Sequence, residues 1–367
     1  MTASMLHPTD LKELRDAVLD SSGTLGIAGA GTAADWAGPL GPVDAVLDTT
    51  GLAGIVVHNP GDMTVAVRAG TPLRQLQEEL APHHQRVSLD AARVAEGATV
   101  GGLVATGDAG PCGLAFGSMR DLVIGVTLVL ADGTVARSGG HVIKNVAGYD
   151  LAKLLHGSYG TLAVIAEVVL RLHPVPEREA TLAVSCSLTE AAELARAVLA
   201  GPHEAVALEW LGTTPDAGTL LVRLNGTAAA MDARLDRLRP VLPGAVDGDD
   251  RWAEHAAIVR GGPGDAVLRI GVRPSKLPGV LTALPARAIT AGLGTGIATV
   301  VLDAQDVAAA HETVAAAGGT SVLRRRPAGA SVPAWGPPPS ALKVLRAVKQ
   351  SLDPAGRLGP GRFDPWM

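Results

Sequence analysis

The spacing of apolar residues changes texture once along the chain. Up to about residue 172, short apolar runs are separated by glycine-rich turns; beyond it, strands alternate with amphipathic helices and glycine clusters become scarce. Asp10 and Glu13 have the spacing of a capping box, and Leu11, Leu14 and Val18 supply the buried stripe of a first helix. Residues 24–28 predict a short strand running into Gly29-Ala30-Gly31-Thr32. Residues 43–48 and 54–58 read as strands, and 63–69 alternate with period two before Thr71 and Pro72 open a helix bearing Leu73, Leu76 and Leu80. The almost wholly apolar stretch 122–130 predicts a strand, turned at Asp132-Gly133 into a return over 135–137. A helix is expected at 150–156, and then a strand opening at Gly160-Thr161 and ending near Leu172.

After the Pro-rich junction at 173–176 the pattern predicts strands at 181–187, 205–211, 219–224, 267–272, 296–302 and 320–323, with helices at 189–199, 228–238 and 307–317. These elements read as an α+β layer, helices packed on one antiparallel sheet. A second Pro-rich stretch, 331–339, leads to a helix over 340–352 and a tail closing on Gly359-Pro360-Gly361-Arg362. The expected organisation is a first domain at 1–172, a second at 173–334, and a helix and tail at 335–367. No internal repeat is evident.

Composition narrows the function. A hydrophobic fraction of 47% in 367 residues is ample for buried cores, and a net charge of -5 without long runs of one sign argues against a nucleic-acid partner. With only Cys112 and Cys186, the chain alone builds neither an iron–sulfur cluster nor a four-cysteine zinc site, and no metal site is expected. The first twenty residues lack a basic stretch followed by an apolar one, and no run reaches about eighteen apolar residues, so the expectation is a cytoplasmic protein.

Candidate chemistry sits in the glycine-rich stretch 97–117. Thr99 is placed to cap a helix begun by Val100, and Gly101 and Gly102 would leave the first-turn N–H groups uncovered for an anion. Gly29 and Gly31, after the strand, form a second candidate anion site. His141, Lys144 and Tyr149 are candidates for binding a carboxylate or taking a proton.

In order, these segments resemble the FAD-binding domain of the vanillyl-alcohol oxidase/PCMH flavoprotein superfamily. They are the strand with Gly29-Ala-Gly-Thr32, Ala98-Thr-Val-Gly-Gly102, Gly117-Ser-Met-Arg-Asp121, Ala131-Asp-Gly133 and Gly157-Ser-Tyr-Gly-Thr-Leu-Ala-Val-Ile165. Within it, residues 142–158 and the ending Asp353-Pro-Ala-Gly-Arg-Leu-Gly-Pro-Gly-Arg362 are similar to the glycolate oxidase FAD-binding subunit. The resemblance implies a PCMH-type two-subdomain FAD-binding domain with an α+β, ferredoxin-like cap. It implies oxidation of glycolate or D-lactate to the 2-oxo acid, in a complex with a related larger flavin subunit and an iron–sulfur subunit, reaching the membrane only peripherally through those partners.

By the same resemblance Gly29, Ala30, Gly31 and Thr32 form one diphosphate loop, and Thr99, Gly101 and Gly102 the other. Thr106, Gly107 and Gly110 would line the flavin, and Gly160, Thr161, Val164 and Ile165 would hold it through backbone groups. The chain departs from the family where an Arg often precedes the first loop and an Asn the tail's Pro-Gly: here stand Ala28 and Gly359. The first loop also lacks the His that bonds flavin covalently in some relatives, so FAD is expected to be non-covalent. Two alternatives remain at this point: a self-sufficient FAD-dependent 2-hydroxy-acid oxidoreductase, and a flavin-free assembly module of the same fold.

Overall fold

The computed structural model describes residues 3–142 and 148–367. Its first part contains β1 (Ser4–Leu6), α1 (Leu11–Asp20), β2 (Leu25–Ala28), β3 (Ala45–Asp48), β4 (Ile55–Asn59), β5 (Thr64–Arg68), α2 (Leu73–Leu80) and β6 (Gln85–Arg86). There follow α3 (Val100–Thr106), α4 (Gly113–Phe116), α5 (Met119–Leu122), β7 (Val123–Val129), β8 (Val135–Gly139), α6 (Leu151–Leu155), β9 (Val164–Arg171) and β10 (His173–Pro174). A small parallel sheet has the order β1-β3-β2; a five-stranded antiparallel sheet has the order β4-β5-β9-β7-β8. At α1, Asp10 accepts the Glu13 N–H at 2.8 Å, while the Glu13 carboxylate reaches the Thr9 N–H at 2.9 Å, one residue earlier than a standard box.

The apolar run of β7 has its cause in two cores. Val123, Val126 and Leu128 pack with leucines of α2 and residues of α3, whereas Val129, with Val164 and Ala166 of β9, packs with Leu14 and Val18 of α1 and with the parallel sheet. Strands covered on both faces have no side on which a charged residue would be hydrated.

The second part repeats one motif. β11 (Arg178–Cys186), α7 (Leu188–Ala200), β12 (Ala207–Thr214), β13 (Ala217–Gly226), α8 (Ala228–Leu238) and β14 (Val246–Asp247) make a βαββαβ unit. After α9 (Trp252–Arg260), a second unit follows: β15 (Ala266–Gly271), α10 (Leu277–Thr282), β16 (Ala288–Gly292), β17 (Ile297–Leu302), α11 (Val307–Ala316) and β18 (Thr320–Arg325). They join through β12 and β16 into one antiparallel sheet, β14-β11-β13-β12-β16-β17-β15-β18, in which the order of one half mirrors the other. This duplication leaves no trace as a residue repeat. Four elements of this part, β14, α9, α10 and β16, are absent from the sequence expectation; β16, Ala-Ile-Thr-Ala-Gly, offers few large apolar side chains to mark a period.

One face of this sheet is the core. Leu208 and Trp210, Leu268 and Ile270, Ile289 and Ala291, Val300 and Leu323 pack under α7, α8, α10 and α11. Alternation then sends Glu209, Arg269, Thr290, Thr299 and Arg324 to the other face. That face turns toward the first part of the chain.

The tail returns to the parallel sheet. After α12 (Leu342–Leu352), buried Asp353 accepts the N–H groups of Arg357 at 2.9 Å and Leu358 at 2.8 Å, setting a tight turn. Leu25 donates its N–H to the Arg357 carbonyl at 2.7 Å, and Gly359 donates to the Leu25 carbonyl at 2.9 Å, so the tail runs alongside β2. The Arg357 guanidinium gathers the carbonyls of Gly23 at 3.0 Å, Ala131 at 2.6 Å, Val18 at 3.1 Å and Ser21. Hydrogen bonds to a charged group are worth about 1.5–3 kcal/mol each. Arg357→Ala is therefore expected to lower unfolding free energy by about 3 kcal/mol or more, and to expose the tail to proteolysis; urea titration and limited digestion check both.

Candidate functional site

Helix α3 is the hub of the first site. Thr99 caps it, accepting the Gly102 N–H at 3.2 Å. The first-turn donors are not free, however: Val100 donates to the Thr71 carbonyl at 2.9 Å and Gly101 to the Ala69 carbonyl at 2.7 Å. The uncovered helix end expected from the sequence is closed by the chain that precedes α2. Gly101 is needed there for close approach, since a Cβ would lie 2.7 Å from that of Ala69. Free donors stand instead on the loop after β2. Among the described residues, the backbone N–H groups of Ala30, Gly31, Thr32 and Ala33 have no protein acceptor, and Gly31 takes a φ of 73°, open to residues without a side chain.

This loop lies against α3, because a Cβ on Gly29 would meet Thr99 Oγ1 at 2.6 Å. The other end of α3 holds a third loop: Gly157 donates to the Val104 carbonyl at 3.0 Å and Tyr159 to that of Ala105 at 2.7 Å. Two clefts run between these loops. Gly29, Ala30, Thr32, Thr99, Gly102 and Thr106 line the smaller. The larger, about 130 Å³, is lined by residues that include Gly31, Gly101, Gly102, Thr106, Gly160 and Ile165. Thr161 and Val164 line neither cleft: the Thr161 hydroxyl donates to the Ser158 carbonyl at 2.7 Å, and Val164 lies in the core. Arg362, brought by the tail, also lines the larger cleft and puts a cation beside the loop that Ala28 leaves without one. A glycine cradle with unsatisfied N–H groups and a guanidinium fits an extended, anionic ligand.

Gly107 and Gly110 line a different space, a cavity of about 280 Å³ between the cradle and the polar face of the large sheet. Glu209, Arg269, Thr290, Thr299 and Arg324 come from that sheet, His255 from α9 and His156 from the end of α6. Buried Glu209 stands 3.6 Å from His255 Nε2, and burial holds its carboxyl above the usual range despite that neighbour. Arg324 pairs with Asp108 at 2.8 Å, both almost fully buried, and its guanidinium lies 3.8 Å from the Trp36 ring centre. A neighbouring space lined by Tyr159, Trp335, Phe363 and Trp366 shares Thr106 with the cradle and Gly107, His156, Arg269 and Arg324 with the cavity, and so lies between the two.

The other candidates lie apart. His141 lines none of these spaces; Nδ1 is 2.8 Å from Thr64 Oγ1 and 3.1 Å from Asn59 Nδ2. Tyr149 is 89% exposed. Lys144 lies outside the described residues. Arg269, Arg324 and Glu209 escaped the sequence reading, although Arg269 and Glu209 are each a charge flanked by apolar neighbours within a strand, the mark of a polar face; Arg324 is followed by two further arginines, which hides it along the chain.

Comparison with known proteins matches residues 4–139 to the family described as FAD binding domain. The family match takes in β1 to β8, and with them the loop after β2 and α3; the loop at 157–160 lies beyond it. The chain is 36% identical to glycolate oxidase subunit GlcE of Escherichia coli over 181 residues, 49% of this chain and 51% of that one. It is 41% identical to glycolate oxidase subunit GlcD of Bacillus subtilis over 34% of this chain and 26% of that one. It is 43% identical to a D-lactate dehydrogenase of Archaeoglobus fulgidus over 32% and 26%. The chain thus matches about half or less of the length of these relatives. A solved alkyldihydroxyacetonephosphate synthase superposes with a TM-score of 0.72 at 15% identity, over 97% of this chain and 75% of that one. The fold is therefore the α+β, PCMH-type FAD fold, with the FAD binding domain joined to the second sheet.

Burial and the positive charge of Arg269 and Arg120 lower the His156 pKa to about 4 from 6.5, so the ring beside the cradle is neutral at neutral pH. The unfolded chain binds this proton below pH 6.5 while the folded one refuses it until about pH 4. Wild-type stability should therefore fall across that window more steeply than that of His156→Gln, and level off below it, in chemical denaturation at a series of pH values.

Proposed function

We propose that this chain is a non-covalent FAD-binding subunit of an enzyme that oxidises a small 2-hydroxy acid, of the glycolate and D-lactate class, to the 2-oxo acid. The observation that carries the reading is the cradle: four unsatisfied backbone N–H groups at residues 30–33 beside Thr99, Gly102 and Arg362, within the segment matched as an FAD binding domain. Bound FAD supplies the two-electron chemistry, and the protein's part is to hold it and shape the space around it. Residues 29–32, Thr99, Gly101, Gly102 and Thr106 would take the diphosphate side, with Gly107, Gly110, Gly160 and Ile165 toward the ring system.

Neither cleft of the cradle is lined by a His or a Cys, which favours a non-covalent cofactor. The domain division in this reading is 1–172 for FAD, 173–334 for the cap, and 335–367 for the returning helix and tail. Likeness to glycolate oxidase subunits GlcE and GlcD supports a multi-subunit enzyme with a related larger flavin subunit; an iron–sulfur subunit completes the electron path in this reading. No helix among the described residues is long and apolar enough to cross a membrane, in keeping with cytoplasmic placement and peripheral contact through partners.

The visible spectrum of the purified chain, before and after adding FAD, tests this directly. Flavin bands released to the supernatant on acid precipitation are expected; bands retained with the precipitate overturn non-covalent binding, and a protein that takes up no FAD overturns the reading. Gly102 opens onto both clefts, so Gly102→Val should weaken FAD binding at least about tenfold, a loss of about 1.4 kcal/mol, with unchanged circular dichroism.

A further inference from the structure

The cavity between the cradle and the large sheet holds a guanidinium that no protein group among the described residues answers. Its acids are already engaged. Asp121 accepts the Ser118 N–H at 2.8 Å and the Ser118 hydroxyl at 3.1 Å, and Glu209 faces His255. Nearby Asp108 is taken by Arg324 and by the Ala109 N–H at 2.9 Å. Arg269, in the middle of β15, lines the same cavity, yet among the described residues it forms neither a hydrogen bond nor an ion pair.

Its surroundings increase the mismatch. Burial and the charge of Arg324 bring the Arg269 pKa down to about 10, a residue still protonated at neutral pH and short of an anion. Its β15 neighbours Leu268 and Ile270 are core residues, so strand alternation puts the charge on the polar face. Beside it, His156 Nε2 is buried without a hydrogen-bond partner. Both groups reach the space continuous with Thr106 and Gly107.

We propose that this cavity is a binding site for a small carboxylic acid with an oxygen on C2, in which Arg269 takes the carboxylate and the neutral His156 ring bonds the C2 hydroxyl or oxo oxygen. Arg269 offers the planar fork that matches a carboxylate. His156 presents either a donor or an acceptor at Nε2, according to tautomer, and so accommodates both the hydroxy and the oxo form. The proposal rests on the functional reading above for the choice of a 2-oxygenated acid; the unanswered charge stands without it. It also locates acid binding on this chain rather than on a partner.

Calorimetric titration of the FAD-loaded chain with pyruvate and with propionate, which lacks the C2 oxygen, tests it; the flavin spectrum of the same sample reports on the cofactor separately. Wild type should bind pyruvate more tightly than propionate. Arg269→Gln should weaken both at least about tenfold, Arg269→Lys should recover part of the loss, and His156→Phe should abolish the preference for pyruvate. Wild type that binds neither acid at millimolar concentration, or Arg269→Gln that binds both as wild type does, overturns the site. A preference surviving in His156→Phe removes His156 from it. Pyruvate binding by a sample that takes up no FAD would sink the cofactor reading while leaving this one in place.

Discussion

The relation between the two halves of the molecule depends on one buried ion pair. Arg324, on the last strand of the large sheet, meets Asp108, in the turn that ends α3, at 2.8 Å, and each is 3% exposed. Taking two charges out of water is costly unless every remaining group is satisfied. Here Asp108 also accepts the Ala109 N–H and the guanidinium lies over Trp36, whose other neighbour is Arg93 at 4.6 Å, while Arg324 Nε is buried without a hydrogen-bond partner among the described residues. Such a pair is poor general glue but strict about position: removing either partner leaves a charge without an answer, a loss of about 3–5 kcal/mol. Arg223 with Asp90 at 3.2 Å and Arg260 with Glu96 at 3.5 Å add outer ties between the same parts.

That registration gives the polar face of the sheet its meaning. An antiparallel sheet covered by helices on one side leaves alternate residues on the other, and on an isolated domain they would meet solvent. Docked against the cradle, Glu209, Thr290, Thr299 and Arg269 become the floor of a cavity whose opposite wall is glycine-rich. The mirrored strand order puts β12 and β16, the junction of the two βαββαβ units, at the middle of this floor. Gly292 is small there for a reason, because a Cβ would come within 2.8 Å of Glu209 Oε1.

The tail works in the same direction. By running beside β2 it fixes the strand that feeds the first glycine loop, and it brings Arg362 to the cleft, where the guanidinium also donates to the carbonyls of Ala34, Trp36 and Gly38. Trp335 stacks on Phe363 with centroids 4.9 Å apart, and its Nε1–H donates to the Arg362 carbonyl at 3.0 Å. In a chain with so few aromatic residues, this cluster ties the linker, the tail and the third loop through Tyr159.

Local periodicity was enough for most elements. The stripe of Leu73, Leu76 and Leu80, the Thr99 cap and the alternation of the later strands follow from spacing and short-range hydrogen bonds, and so are legible along the chain. The three glycine loops were legible too, because glycine where φ is positive is a local demand. Which donors stay free was not: the start of α3 is closed by Thr71 and Ala69, and the open N–H groups are those at residues 30–33. Nor could spacing pair Arg324 with Asp108, leave Arg269 without a partner among the described residues, or bring Arg362 beside a loop more than 300 residues earlier. Contacts of that kind depend on how two sheets and a tail pack, and a charge is satisfied or stranded only when its neighbours in space are known.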